Sequence, residues 1–243
     1  MSRMPRITAL FWLLKICATT LGETAGDLLS MTLGLGYRES SVLLFGFFLA
    51  ALTCQLNSKR YIPLLFWTVI LSTSTAGTTL SDYMDRSLAL GYLAGSLILL
   101  SVLLGIFAMW RSHSPSLSVE HLGSRKDELF YWSAILFSNT LGTAFGDMLS
   151  EESGLGFRGA AFLLGGILGI LLILFKSLSL SKTVLFWIAF VLTRPFGATL
   201  GDLLTKPGDK GGLDLGTAGS TLILTGILGI ALFRESAKQS SAR

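Results

Sequence analysis

Apolar stretches of helix length recur along the chain, separated by short polar or glycine-rich breaks. "SVLLFGFFLAAL" (41–52), "LAGSLILLSVLLGIFAMW" (93–110), "AAFLLGGILGILLILF" (160–175) and "STLILTGILGIALF" (220–233) contain no charged residue. A helix that crosses the hydrocarbon core needs about 20 mostly apolar residues. The pattern predicts eight such helices, near 7–29, 40–56, 61–83, 88–110, 130–150, 158–175, 183–204 and 215–233. The expected fold is an all-α membrane protein.

The segments repeat. Aligned on an aspartate, "LGETAGDLLS" (21–30), "AGTTLSDYMD" (76–85), "LGTAFGDMLS" (141–150) and "FGATLGDLLT" (196–205) place Asp27, Asp82, Asp147 and Asp202 at intervals of 55, 65 and 55. An aromatic-Trp pair precedes each aspartate at a constant distance: Phe11-Trp12, Phe66-Trp67, Tyr131-Trp132 and Phe186-Trp187. A glycine lies five residues before it (Gly22, Gly77, Gly142, Gly197), and a small residue immediately before it (Gly26, Ser81, Gly146, Gly201). Gly36-Tyr37, Gly91-Tyr92 and Gly156-Phe157 open the next helix in the first three units; the insertion "KPGDKGGLDLG" blurs the match in the fourth. Recurrence at this period marks a repeat architecture. The reading is four parallel hairpin repeats in two pseudo-symmetric halves, residues 1–110 and 130–243, joined by a polar linker, 111–129.

Composition agrees. The chain is 51% hydrophobic and 14% charged, against roughly 25% charged for soluble domains. The start, "MSRMPRITALFWLL", has a signal-like basic end, but Lys15 interrupts the apolar run and residues 11–37 belong to the repeat, so this segment is expected to be retained. Lys and Arg gather on one side. Arg3, Arg6, Lys59, Arg60, Arg111, Arg125, Lys126, Lys176, Lys182, Arg234, Lys238 and Arg243 fall in the segments that share a side with the N-terminus. Arg38, Arg86, Arg158, Lys206 and Lys210 fall on the other. Positive residues favour the cytoplasm, so both termini are expected there, in the inner membrane, with the aspartates toward the outer ends of the odd helices. The net charge of +4 is read as this topology signal and not as nucleic-acid binding. Cys17 and Cys54 are too few for a disulfide framework and read as small buried hydrophobes. His113, Glu120 and His121 read as a solvated loop.

The acids carry the chemistry. Residues three and four apart share a helix face. Thr20, Glu23, Asp27 and Ser30 form one stripe; Thr75, Thr78, Asp82 and Asp85 the second; Thr140, Thr143, Asp147 and Ser150 the third; Pro195, Ala198, Asp202 and Thr205 a degraded fourth. Beside each runs a small-xxx-small pair, which lets membrane helices approach closely. The odd helices are therefore expected to pack around a shared axis. A charge in a membrane helix costs at least about 2.5 kcal/mol, and Lys15 and Arg194, the basic residues within the helices, are too few to offset Glu23 and four aspartates. Oxygen donors suit Mg, Ca or Mn. In the competing account the aspartates face headgroups or cap the following turn.

"TLGETAGDLLSMTLGLGY" and "TLGTAFGDMLSEESGLGF" resemble a bacterial family of multi-span membrane proteins built of tandem repeats of unknown function, over the whole chain apart from the linker and tails. The resemblance implies an inner-membrane protein. Glu23-Thr-Ala-Gly26-Asp27 also has a weak likeness to the Glu-x-Gly-Asp-Lys-Thr of manganese and calcium transporters, with one residue more and no Lys.

The expected function is a secondary transporter or exporter of a divalent, Mn2+-like cation, exchanged for protons and using no cofactor. Asp27, Asp82, Asp147 and Asp202 would bind the metal, with Glu23, Thr78, Thr143, Asp85 and Arg194 as neighbours. The lipid bilayer and the small cation are its expected partners, and a homo-oligomer is compatible with them. The alternatives are a non-transporting scaffold or partner subunit, and an intramembrane aspartyl hydrolase, although no Gly-x-Gly-Asp stretch is present. On the orientation above, a reporter active only in the cytoplasm should work when fused after Arg243 and fail when inserted after Arg38.

Overall fold

The computed structural model describes residues 4–58, 60–119, 122, 124–177 and 181–241, with backbone alone for 175–177, 210 and 238–241. Glu120 and His121, and the basic residues Arg3, Lys59 and Arg243, lie outside the described residues, as do the side chains of Lys176, Lys210 and Lys238. Among the described residues there are eight α-helices and no strand. They are α1 (Ala9–Asp27), α2 (Tyr37–Asn57), α3 (Pro63–Asp82), α4 (Tyr92–His113), α5 (Arg125–Asp147), α6 (Gly156–Ser177), α7 (Lys182–Thr205) and α8 (Thr217–Ser241).

Five of them, α2, α4, α6, α7 and α8, are long and apolar enough to cross a membrane. The helices α1, α3 and α5 fall outside that set, and they carry the hydroxyls and carboxylates of the stripes. The even helices turn large apolar residues outward: Val42 and Phe47 on α2, Leu93 and Leu104 on α4, Phe162 and Leu172 on α6, Leu222 and Phe233 on α8. Such a continuous belt is what a bilayer would cover, and the apolar helices are compatible with a membrane protein.

Local signals set the helix starts. The Thr8 side chain caps α1 by accepting from the Phe11 N–H, Ser124 caps α5 by accepting from the Asp127 N–H, and Pro63 occupies the first turn of α3. At the other end, α1, α3 and α5 each widen into a five-residue π-turn (Leu28–Thr32, Tyr83–Ser87, Met148–Glu152). The Leu33 N–H donates to the Leu28 carbonyl, and Leu88 and Ser153 do the same to Tyr83 and Met148. The fourth unit has no π-turn. Its chain leaves α7 extended at Lys206 and forms a short 3-10 turn, Gly208–Lys210.

Helix packing departs from the expected hairpins. The odd helices form a closed ring, α1 against α3, α3 against α5, α5 against α7 and α7 against α1. The even helices lie outside it, each on the odd helix of the following unit: α2 on α3, α4 on α5, α6 on α7, and α8 back on α1. The two helices of one unit meet chiefly near the turn between them. The outer layer thus interlocks the repeats.

The ring is tight because each repeat glycine sits directly against the neighbouring odd helix. A Cβ on Gly22 would overlap Ser74, on Gly142 Arg194 and Pro195, and on Gly197 Thr19, and on Gly77 it would press on the Asn139–Thr140 backbone. Ser74, Asn139, Arg194 and Thr19 each lie eight residues before the next unit's aspartate, so the four interfaces are equivalent. The aromatic pairs repeat the rule at the opposite end. Phe11 meets Trp67 at 5.5 Å, Phe66 meets Trp132 at 5.5 Å, Tyr131 meets Trp187 at 6.0 Å and Phe186 meets Trp12 at 5.7 Å between ring centroids.

The fourth unit's missing landmark is Gly216. Gly36, Gly91 and Gly216 each precede an even helix and Gly156 opens one, with φ of 81, 73, 71 and 64°. Gly216 lies 14 residues after its aspartate, against 9 in the other units. The cysteines differ from expectation: Cys54 is exposed on the outer layer, and Cys17 is half-buried.

Two residues before each of these glycines the chain is again left-handed: Gly34, Ala89, Gly154 and Asp214 have φ of 70, 54, 79 and 55°. An L-residue with a Cβ is strained there by about 1–2 kcal/mol. Replacing Ala89 by Gly should therefore stabilise the protein by about 1 kcal/mol, read as a higher thermal midpoint in detergent. Gly34→Ala should lower it by a similar amount.

Candidate functional site

Four odd helices with a common spacing stack their side chains in layers along the axis. The first layer is Asp27, Asp82, Asp147 and Asp202, all buried. One turn further in come Glu23, Thr78, Thr143 and Ala198; then Thr19, Ser74, Asn139 and Arg194; then Lys15, Ile70, Ile135 and Phe190; and last the aromatic layer of Phe11, Phe66, Tyr131 and Phe186. Every residue of these layers is buried. The sequence-predicted aspartates, Glu23, Thr78, Thr143 and Arg194 are brought together here.

The aspartates do not cap the turns that follow them: Asp27, Asp82 and Asp147 make no side-chain bond to the π-turn backbone. They form ion pairs instead. Arg86 Nε lies 3.0 Å from Asp82 Oδ1, and its Nη2 lies 3.2 Å from Asp147 Oδ2 and 3.1 Å from Glu151 Oε1. Lys206 Nζ lies 2.7 Å from Asp27 Oδ2 and 3.2 Å from Asp202 Oδ1. Arg86 and Lys206 each stand four residues after an aspartate, at equivalent positions of units two and four, and each spans to the next unit. Burial works against charge on Lys206, but Asp202 and Asp27 outweigh it and hold the ammonium well above its ordinary value. Burial likewise opposes the charge on Arg86, which Asp82 and Asp147 more than offset.

These two cations correct the sequence-based charge count, in which Arg86 and Lys206 belonged to solvent-facing connections. The signal was present as the i,i+4 spacings Asp82–Arg86 and Asp202–Lys206. It was hidden because both residues lie beyond the apolar segments, and the π-turn that carries Arg86 inward leaves no mark in hydropathy.

Deeper in, Arg194 fills the space that Ala198 leaves. Its Nη2 donates to Glu23 Oε2 at 2.8 Å, and Thr78 Oγ1 and Thr143 Oγ1 each lie 2.6 Å away. Thr78 Oγ1 also lies 3.2 Å from Glu23 Oε2. The basic residue thus tethers the glutamate. Glu23, Asp147 and Asp202, from α1, α5 and α7, each bring a carboxylate oxygen to within 4.8 Å of the others. Such a set of hard oxygen donors can hold a cation.

Asp85 is the exception among the expected site residues. It lies off the axis, where a Cβ on Gly95 of α4 would overlap its carboxylate, and Ser81 Oγ donates to its Oδ2 at 3.2 Å. Its counterparts Ser30, Ser150 and Thr205 donate to the carbonyls of Gly26, Gly146 and Gly201. This position therefore closes the ends of the odd helices.

A pseudo-four-fold ring of polar helices inside a ring of apolar ones, with buried carboxylates at one end, defines a class of repeat-built helical proteins. The chain belongs to the family described as "Repeat of Unknown Function (DUF347)", which matches at residues 10–61, 65–113, 130–178 and 185–239, one match for each unit. No curated protein and no solved structure matches the chain.

Removing one partner of a buried ion pair costs about 3–5 kcal/mol because the other charge is stranded. Arg194→Met should therefore lower stability by about that much, and Arg194→Met with Glu23→Gln should recover most of the loss. Chemical or thermal unfolding of the purified variants, arranged as a double-mutant cycle, reads the coupling directly.

Proposed function

We propose that this protein is a membrane-embedded secondary transporter of a small divalent cation of the Mn2+ class, and not an enzyme. The observation that carries the reading is the meeting of Glu23, Asp147 and Asp202 oxygens within 4.8 Å, on three helices, in a buried axis. Five buried carboxylates, Glu23 and the four aspartates, face three paired cations, Arg86, Lys206 and Arg194. These buried acids outnumber the basic side chains of the axis, Lys15 included, which favours a cation there.

In this reading the three basic side chains are resident counter-ions. They hold the carboxylates when substrate is absent, and an arriving cation displaces them. A dehydrated divalent ion in the axis gains carboxylate ligands that the basic groups give up, so the exchange proceeds without a fully uncompensated charge. The Arg86 and Lys206 side chains, 30% and 18% exposed, would close the site at the carboxylate end. The aromatic layer would close the other end. Proton binding to the carboxylates would give the coupled flux, because a protonated acid and a metal compete for the same oxygens. All eight helices would cross the inner membrane with both termini cytoplasmic, placing the aspartates toward the outer face.

A non-transporting scaffold is the second reading. It is favoured by the number of ion pairs already made within the axis and by the aromatic closure at its far end. The two readings separate in reconstituted vesicles. Wild type should carry Mn2+, with Ca2+ and Mg2+ as comparison ions. Asp147→Asn with Asp202→Asn should cut that flux at least about tenfold, since one buried charge-assisted ligand contributes about 1.5–3 kcal/mol. Mn2+ should also raise the thermal midpoint of wild type and leave that of the double variant unchanged. Equal flux in the two proteins, or no metal-dependent stabilisation of wild type, would overturn the transporter reading.

A further inference from the structure

Asp85 is a buried acid that the cation chemistry does not use. It lies off the axis in the π-turn after α3 and is 6% exposed. Ser81 Oγ donates to its Oδ2 at 3.2 Å, and its Oδ1 is buried with no hydrogen-bond partner. The adjoining Arg86 is committed elsewhere, to Asp82, Asp147 and Glu151. Glu152 of the next π-turn bears on Asp85 as a like charge. Three helices pack on this turn. At this end α4 brings Tyr92 as its titratable group, α2 brings Tyr37 and the exposed Arg38 and Glu39, and α3 brings Asp82, which Arg86 holds.

The other three units show what the position requires. Ser30, Ser150 and Thr205 stand there, and each donates its hydroxyl hydrogen to the carbonyl four residues back. On the even helices, the residue four after the left-handed glycine is Ser40, Ala160 or Ser220, all buried. In unit two it is Gly95, and a Cβ there would overlap the Asp85 carboxylate. The absent side chain makes the seat for the longer acid. An ionised carboxylate has no hydrogen to give, whereas a protonated carboxyl has one. A buried carboxylate without a partner neutralises itself at less cost than it stays charged. Burial accordingly pushes the Asp85 carboxyl up to about 6, against the Ser81 hydrogen bond and Arg86.

We infer that Asp85 is a proton-binding site apart from the axial carboxylates, and that its proton latches the second π-turn onto Gly95 of α4. With the proton bound, the neutral acid stands in for the hydroxyls of the other units and keeps the turn seated. When it gives that proton to water, the carboxylate leaves its seat for solvent and the turn lifts from α4. Arg86 is the next residue of the turn, so its bridge to Asp82 and Asp147 is withdrawn as well. Neutral Asp85 therefore closes the carboxylate end, and ionised Asp85 opens it. That this opening admits a cation rests on the transport reading; the latch itself does not.

A value raised from 3.8 to about 6 makes the latch fully stabilising below 3.8 and lost as pH rises through about 6. Asp85→Asn keeps a neutral donor in the seat at every pH. In thermal unfolding of the purified full chain in detergent, its midpoint should match wild type at about pH 4 and exceed it by roughly 5 °C at about pH 8. Asp85→Ser with Gly95→Ser, the pair that unit one carries as Ser30 and Ser40, should follow Asp85→Asn. Hydrogen exchange tests the wild type directly. Amides of Tyr83–Ser87, compared with those of Met148–Glu152 as an internal reference, should open more readily as pH rises through about 6. A midpoint difference between wild type and Asp85→Asn that is the same at both pH values, or an exchange ratio between the two turns that does not change with pH, would overturn the proposal. Neither measurement contains metal, so the latch is judged apart from the Mn2+ experiments.

Discussion

Close helix contact at glycine is the constraint on which the axis depends. Gly22, Gly142 and Gly197 leave no room for a Cβ at the interfaces between odd helices, and Gly77 leaves very little. Closing those interfaces brings the face three and four residues away into one line, so that carboxylates from four segments up to 175 residues apart become neighbours. In a bilayer, small-xxx-small packing would be driven by close contact and not by hydrophobicity, because lipid is as apolar as leucine. Polar side chains can therefore fill the axis at no cost in helix association, provided that each charge finds a partner. Arg86, Lys206 and Arg194 meet that condition for the acids.

The internal symmetry is close, and its breaks fall where charge is placed. The layer below the aspartates holds Glu23, two threonines and an alanine, and the next holds Thr19, Ser74, Asn139 and Arg194. One acid and one base occupy adjacent layers on neighbouring helices, and the ring closes them onto each other. The same alternation appears at the carboxylate end, where units two and four supply Arg86 and Lys206 and units one and three supply Met31 and Glu151. A strictly four-fold ring would set identical charges against one another. The departures give each carboxylate an opposite charge within reach.

Much of this was legible in the sequence. The eight helices, their repeat landmarks and the polar stripe on each odd helix follow from spacing alone, because a helix face is fixed by its 3.6-residue period. The convergence of the aspartates followed from the small-residue pairs beside them. What could not be read was which helix covers which. A short turn after α1 suggests a hairpin, yet α2 leans on α3, just as α8 leans on α1 with no π-turn before it. Arg86 was lost because it lies in a π-turn beyond the apolar segment. Gly216 was masked by five inserted residues, and only its left-handed backbone reveals the match. Pairing between Glu23 and Arg194 depends on ring closure across 171 residues, which no local pattern encodes.

That closure has a consequence for biosynthesis. The first helix is covered on its outer side by the eighth, and its glutamate is neutralised by an arginine from the seventh. At ribosomal rates near 5–20 residues per second, roughly 10–30 s pass between the emergence of the two partners. Throughout that interval the nascent amino-terminal segment presents an ionisable group and an uncovered flank to its surroundings. In a bilayer, the circular topology would leave the early helices to be sheltered until the last arrives.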